Sequence, residues 1–331
     1  MSAAARSPPR LATAAQSDSP ARIAPMPLSP PSPAPTLVVL AAGIGRRFGG
    51  DKQLAAVGPR GETLLDYAVA DAARAGFGRA VLLLRPDMPT EAVDALLARL
   101  GARIGAVETL FQRLEDLPGD RRPPAGRRKP WGTGQALWAC REAVRGPLAM
   151  VNADDYYGPR SYPVARAALD ALAGEHCALV AFDLARTLSA HGTVSRGICR
   201  LDAAGRPADI VERYEIRQGA DGVIRAGDGR EPCELAPDTP ASMNLWAFTP
   251  AVFDWLETDF IAFLDQLDRT SPTALDAEFI LTEVIGSRLR AGRVRVDLCR
   301  TPETWLGLTN AADLAAAREL LARLRPDGEG R

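Results

Sequence analysis

The chain has 331 residues, 47% of them hydrophobic and 24% charged, an ordinary globular composition with room for one large α/β domain or two smaller ones. A formal net charge of -1 argues against a general nucleic-acid coat protein, and no apolar run approaches the roughly 18 residues of a membrane span. The five cysteines are scattered, without CxxC or His-paired spacing, which speaks against structural zinc and for a reduced, cytoplasmic protein.

Residues 1–35 are rich in Ala, Pro and Ser and carry no helical or strand period. They read as a disordered tail, and their Arg-bearing, acid-poor composition leaves a transit peptide as the rival reading. Leu37-Val38-Val39-Leu40 predicts a buried strand feeding the small-residue loop Ala41-Ala42-Gly43-Ile44-Gly45. Arg46, Arg47 and Lys52 follow, with Gly49 and Gly50 between them. A strand that ends in a glycine turn lets backbone N–H groups approach a phosphate, and cations just beyond it neutralise charge.

A helix is predicted over 62–76, a buried strand over 79–84 and a helix over 90–100 with Thr90 as N-cap. Continuous apolar strands alternating with amphipathic helices predict a parallel sheet covered on both faces. Residues 115–128 read as a loop, and Trp131-Gly132-Thr133-Gly134 as a second glycine loop opening a helix over 135–144. A strand over 147–151 ends in Asn152-Ala153-Asp154-Asp155, and a helix over 165–173 and a strand over 178–182 follow. Short strands at 195–202 and 209–213 flank a turn and predict a β-hairpin. Residues 218–240 read as a long loop, 242–248 as a strand, 252–267 and 278–289 as helices, 294–298 as a last strand and 311–324 as a closing helix.

The first loop is neither of two familiar glycine motifs. Phe48 stands where the dinucleotide fingerprint needs its third glycine, and Gly50-Asp51-Lys52-Gln53 lacks the Gly-Lys-Ser/Thr of a P-loop. A carboxylate at the end of an apolar strand, as at Asp154, is well placed for Mg²⁺, which prefers oxygen ligands. Strand, AAGIG, Arg47 and Lys52 together resemble the signature of the nucleotidyltransferase superfamily, which includes the sugar-1-phosphate nucleotidylyltransferases. Asp51 stands where that pattern most often has proline.

That resemblance implies a Rossmann-like three-layer α/β/α sandwich with a mostly parallel mixed sheet and an antiparallel acceptor-binding part. It implies one domain over 36–325, with a nucleotide-binding half at 36–185, an acceptor-binding half at 186–325 and a flexible C-terminus at 326–331. Arg47, Lys52 and Asp154 are then the expected catalytic residues, and Leu40, Ala41, Ala42, Gly43, Gly45, Gly132 and Thr133 the nucleotide contacts. Glu212, Arg213 and Asn244 are expected on the acceptor. Asp154 and Asp155 are expected on Mg²⁺, with Asp297 as a further option, because Gly307 stands where many relatives carry a second metal aspartate. Each assignment has a structural rival: a helix cap for the Gly132 loop, a turn aspartate for Asp155, an exposed strand pair for Glu212 and Arg213, a buried backbone-bonding asparagine for Asn244. The expected reaction joins an NTP to a sugar 1-phosphate with release of pyrophosphate, without nucleic-acid or membrane partners. The alternatives are cytidylyl transfer to phosphocholine or a cofactor precursor, and a catalytically idle nucleotide-binding sensor.

Overall fold

Strand β1 (Thr36–Leu40) is buried along its whole length in the computed structural model, which describes residues 34–43, 55–189, 192–227, 233–268, 271–308 and 313–325, all within the unit Ala34–Arg331. Gly45, Arg46, Arg47, Lys52 and His191 lie outside the described residues. Successive side chains of a strand point to opposite faces, so Leu37 and Val39 enter one apolar layer and Val38 and Leu40 the other. A strand apolar on both faces needs cover on both.

The described elements follow as α1 (Leu64–Arg74), β2 (Arg79–Leu84), α2 (Thr90–Gly101), β3 (Ala106–Phe111), α3 (Thr133–Trp138), β4 (Leu148–Asn152), β5 (Asp155–Tyr156), α4 (Ser161–Ala171) and β6 (Cys177–Asp183). Then come β7 (Val194–Leu201), β8 (Pro207–Gln218), β9 (Ile224–Ala226), β10 (Cys233–Leu235), β11 (Pro240–Ser242), β12 (Trp246–Phe248), α5 (Val252–Gln266), α6 (Leu281–Arg290), β13 (Val296–Arg300), β14 (Leu306–Gly307) and α7 (Asp313–Leu324). Strands β3, β2, β1 and β4 are parallel neighbours in that order. Strand β12 runs antiparallel between β4 and β6, β13 lies parallel to β6, and β11, β7, β8, β9 and β10 continue the sheet antiparallel from β6. Helices α1, α2 and α4 cover one face, and α3, α5 and α6 the other. This is the expected three-layer α/β/α arrangement with a mixed sheet. Among the described residues, no helix is long and apolar enough to cross a membrane.

Helix α1 starts at a capping box: Thr63 Oγ1 accepts from Asp66 N at 3.2 Å and Asp66 Oδ2 accepts from Thr63 N at 2.8 Å. It stops before Gly76, whose φ of 90° only glycine holds without strain. Helix α2 begins at Thr90 itself, with Pro89 at the cap position, so the expected threonine cap is not formed. Strand β3 was not expected; its side chains are half-buried or exposed, so it offers no continuous apolar run. The long loop expected at 218–240 contains β9 and β10, and the helix expected over 135–144 ends at Trp138.

The strand expected over 242–248 is broken into β11 and β12 at Met243-Asn244-Leu245, where Asn244 is left-handed with φ of 62°. The break positions the site. Before it, Ala241 pairs with Ile198 of β7; after it, Trp246 pairs with Met150 of β4. The chain thus changes partner strands beside the carboxyl end of β4.

Candidate active site

A cleft of about 760 Å³ opens at the carboxyl ends of β1 and β4, where ligands bind in open α/β sheets. Leu40 and Asn152 are Cα partners there, and Leu40, Ala42 and Gly43 lead the chain past the opening. Among the described residues, none lies within 4 Å of a Cβ built at Gly43. Ala41 is buried and its N–H donates to Leu83 O at 2.8 Å, which anchors the loop rather than presenting it.

The Gly132 loop forms the next wall. Gly132 has φ of 99°, and a Cβ there would stand 2.9 Å from Phe279 O. Phe279 N donates to Trp131 O at 2.6 Å, Gly134 N donates to Phe279 O at 2.9 Å, and Thr133 Oγ1 accepts from Leu281 N at 3.0 Å. The glycines serve close backbone approach, Gly132 stands at the N-cap of α3 as the rival reading had it, and Thr133 Oγ1 caps α6 as well. Gly132 and Thr133 line the cleft as well. Gln112, missed in the sequence, joins them: its Nε2 donates to Gln135 Oε1 at 2.7 Å and to Gly132 O at 3.4 Å. It follows β3, a strand without an apolar run, so nothing local marks it in the sequence.

Asp154 and Asp155 have different surroundings. Asp154 is half-buried in the turn after β4 and lines the cleft. Asp155 is buried, and its Oδ2 accepts from Asn152 Nδ2 at 2.8 Å. Tyr157 Oη lies 3.1 Å from the same oxygen and donates to Met243 O at 2.9 Å. The hydroxyl has one proton, so when it serves the carbonyl the contact to Asp155 requires a protonated carboxyl. Burial, with the Asp154 charge second, pushes Asp155 up to about 7, which favours that proton. Asp155 thus ties β5 to the Asn244 break.

Asp297 is corrected as a metal option. It pairs with Ala178 near the start of β6, so it sits at the far end of the sheet from the cleft, and Arg295 Nε donates to its Oδ1 at 3.0 Å. Among the described residues no group of three or more His, Cys, Asp or Glu converges to hold a metal. Mg²⁺ needs no such cage; it uses one or two carboxylates with waters and substrate phosphates, and Asp154 fits that pattern. Nothing stands for a second carboxylate at Gly307, over which the Trp305 ring is packed.

The remaining wall comes from β7, β8 and the Asn244 break. Glu212 lies opposite Gly197 and lines the cleft with Tyr214, two residues on. Burial first, then the Glu283 charge, pushes Glu212 up to about 7, against the pull of Arg196. Arg213 lies between two cleft-facing residues of one strand, so alternation sends it to the other face, and it does not line the cleft. That corrects its place beside Glu212. Asn244 does line the cleft, as does Arg196 on β7, which sequence reasoning did not single out.

Residues 37–115 match the profile of the MobA-like NTP transferase domain, which bears out the resemblance read from AAGIG, Arg47 and Lys52. No curated protein sequence matches the chain. Several solved structures share its fold. A protein assigned as a glucose-1-phosphate thymidylyltransferase from Bacillus anthracis, solved with sucrose, gives a TM-score of 0.57 at 15% identity, covering 87% of this chain and 95% of that one. The inositol-1-phosphate CTP transferase from T. maritima gives 0.58 at 15% identity, covering 88% and 96%. A UDP-glucose pyrophosphorylase solved with UDP-glucose gives 0.53 at 15% identity, covering 88% and 100%. At this identity the likeness is one of fold, and it bears out the α/β/α class.

Proposed function

We propose, from an NTP transferase domain over residues 37–115 as premise, that this protein transfers a nucleoside monophosphate from an NTP to a small phosphorylated acceptor, a sugar 1-phosphate being the favoured class. One observation carries the reading: Asp154 stands in a single cleft between the glycine loop after β1 and a wall bearing Glu212 and Asn244. A nucleotide and a polyhydroxylated acceptor each have a side of their own, and a carboxylate lies between them.

An acceptor phosphate oxygen forms a bond to the α-phosphorus, the α–β anhydride breaks, and pyrophosphate leaves. The attacking oxygen is already anionic at neutral pH, so no side chain has to take its proton. That suits a chain with two histidines. The task left to the protein is in-line alignment and stabilisation of the leaving charge. Magnesium held by Asp154 and the substrate phosphates would supply charge neutralisation at the transferring phosphoryl group. Backbone N–H groups beyond Ala41, whose own N–H serves Leu83 O, face the triphosphate, and Arg47 and Lys52 neutralise the departing pyrophosphate. Gln112, Gly132 and Thr133 border the base. Glu212 and Asn244 accept and donate hydrogen bonds to acceptor hydroxyls.

A thermal-shift screen of the nucleoside triphosphates with Mg²⁺ tests the nucleotide half, because a ligand of the folded state raises its stability. One triphosphate is expected to raise the midpoint more than the others, and Asp154→Ala is expected to remove the Mg²⁺-dependent part. No shift with any triphosphate would sink the reading. Gly307 favours a second reading, nucleotide binding without turnover; it predicts the same shift with no pyrophosphate released for any acceptor.

A further inference from the structure

A small apolar cluster lies outside the two layers that cover β1, and Val57, Tyr67, Tyr156, Leu308, Ala317 and Leu321 are buried in it. Its members come from distant parts of the chain. Val57 belongs to the segment that leaves the glycine loop, Tyr156 and Leu308 flank the Asp154 turn, and Ala317 and Leu321 belong to α7. Helix α7 is thus the packing surface shared by the two segments on which the transferase reading depends.

Arginines tie α7 to both segments. Arg325, directly after the helix, is buried; its Nε donates to Tyr156 Oη at 3.1 Å and its Nη2 donates to Asp71 Oδ2. Its guanidinium carbon lies 5.5 Å from the centroid of the Tyr67 ring and 5.8 Å from that of Tyr156. Tyr156 pairs with Leu306, and Leu308 N donates to Asp154 O at 3.0 Å, so the anchored helix stands in fixed relation to Asp154. From this helix Arg318 reaches the other segment. Its Nε and Nη2 both donate to Ala56 O, at 3.1 Å and 2.9 Å.

Two donors take both lone pairs of that carbonyl and fix its direction. On the other side of the same peptide unit, Val57 N donates to Glu62 O at 2.8 Å. The unit is therefore held from both ends, and Lys52 stands four residues before Ala56 in the sequence. Arg318 is exposed, so it adds nothing to the burial of the cluster, for which Ala317 and Leu321 suffice. What it adds is the placement of one backbone carbonyl.

We propose that α7 is a clasp that sets the chain leaving the glycine loop against the Asp154 turn, and that Arg318 is its positioning residue. This rests on the nucleotidyltransferase reading for what is positioned, the triphosphate side of the cleft. In-line transfer is sensitive to displacements of about 1 Å, so a tether outside the cleft governs it without touching substrate.

The test compares wild type with Arg318→Ala by hydrogen–deuterium exchange and by calorimetric titration of ATP, CTP, GTP, UTP and dTTP, each with Mg²⁺. Alanine is a strong helix former and the site is exposed, so the melting midpoint is expected within about 2 °C of wild type. Exchange in a peptide covering 55–58 is expected to quicken, while one covering β4 stays as in wild type. Affinity for the triphosphate that binds is expected to fall by about fivefold or more, the worth of one ordinary hydrogen bond. In turnover, KM for the NTP is expected to rise by a similar factor and KM for the acceptor to change by less than about twofold. Arg318→Lys, which keeps the charge and a donor for the carbonyl, is expected to lie between the two. Unchanged exchange at 55–58, wild-type triphosphate affinity in Arg318→Ala, or an equal rise in both KM values would overturn the proposal. Failure of the transferase reading shows separately, as no triphosphate binding by wild type with the Arg318-dependent exchange intact.

Discussion

Gly307 is the Cα partner of Asp155 in the β14–β5 pair, and a Cβ at position 307 would stand 2.9 Å from Asp155 Oδ1 and against the Trp305 ring. A carboxylate introduced there has no room. Gly307→Asp is therefore expected to lower stability by about 2 kcal/mol or more, as a buried unpaired charge and overpacking both cost free energy. It is not expected to strengthen Mg²⁺ binding. Thermal denaturation with and without Mg²⁺ checks both; a stable variant with tighter metal binding would show that the ring gives way.

Asp155 and Glu212 make stability fall with rising pH in metal-free buffer. Both carboxyls titrate in the folded protein at about 7, above their ordinary values of 3.8 and 4.5. Between those values and 7 the folded state holds protons that the unfolded state has lost, so stability declines across that window and levels above it. Asp155→Asn is expected to remove its share of the slope and to gain about 1–3 kcal/mol at pH 8 relative to wild type. Urea titrations at pH 5 and pH 8 measure this. An unchanged slope would mean that Asp155 is ionised throughout.

Arg47, Lys52 and Asp154 are expected to act in turnover rather than in folding. Replacing any one of them with Ala should lower kcat by about 10²-fold or more. Arg46→Ala, at the neighbouring cation to which no substrate contact is assigned, should change it by less than about threefold. Steady-state kinetics on the four variants, with melting curves as a folding control, distinguishes the roles; full turnover by Lys52→Ala would contradict the assignment.

Gly132 is required by the backbone. Its φ of 99°, and the 2.9 Å that would separate a Cβ at this position from Phe279 O, mean that Gly132→Ala strains the loop whatever its neighbours do. A loss of about 1–3 kcal/mol is expected, with weaker nucleotide binding. Chemical denaturation measures the first and thermal shift with the preferred NTP the second.

Much of the parallel part of the sheet is legible in the sequence, because β1, β2 and β4 are buried on both faces and read as apolar runs. Strand β3 hides because it is only half-buried. The period of two along β8 forbids Glu212 and Arg213 from facing one cleft together, a constraint that a motif match overlooks. Asp297 is misplaced for a different reason: a strand read from sequence has no direction within a sheet, and β13 enters beside the start of β6. The Asn244 break and the Arg196–Trp305 contact join residues more than a hundred positions apart in the second case and need a register in the first, so neither shows as a local pattern.

The most direct measurement is acceptor-dependent pyrophosphate release by the purified protein with Mg²⁺, across the nucleoside triphosphates and a panel of sugar 1-phosphates, inositol phosphate and phosphocholine. The account predicts release that requires both substrates, is confined to one or two triphosphates, and is lost in Asp154→Ala. Tight NTP binding with no release for any acceptor would contradict it.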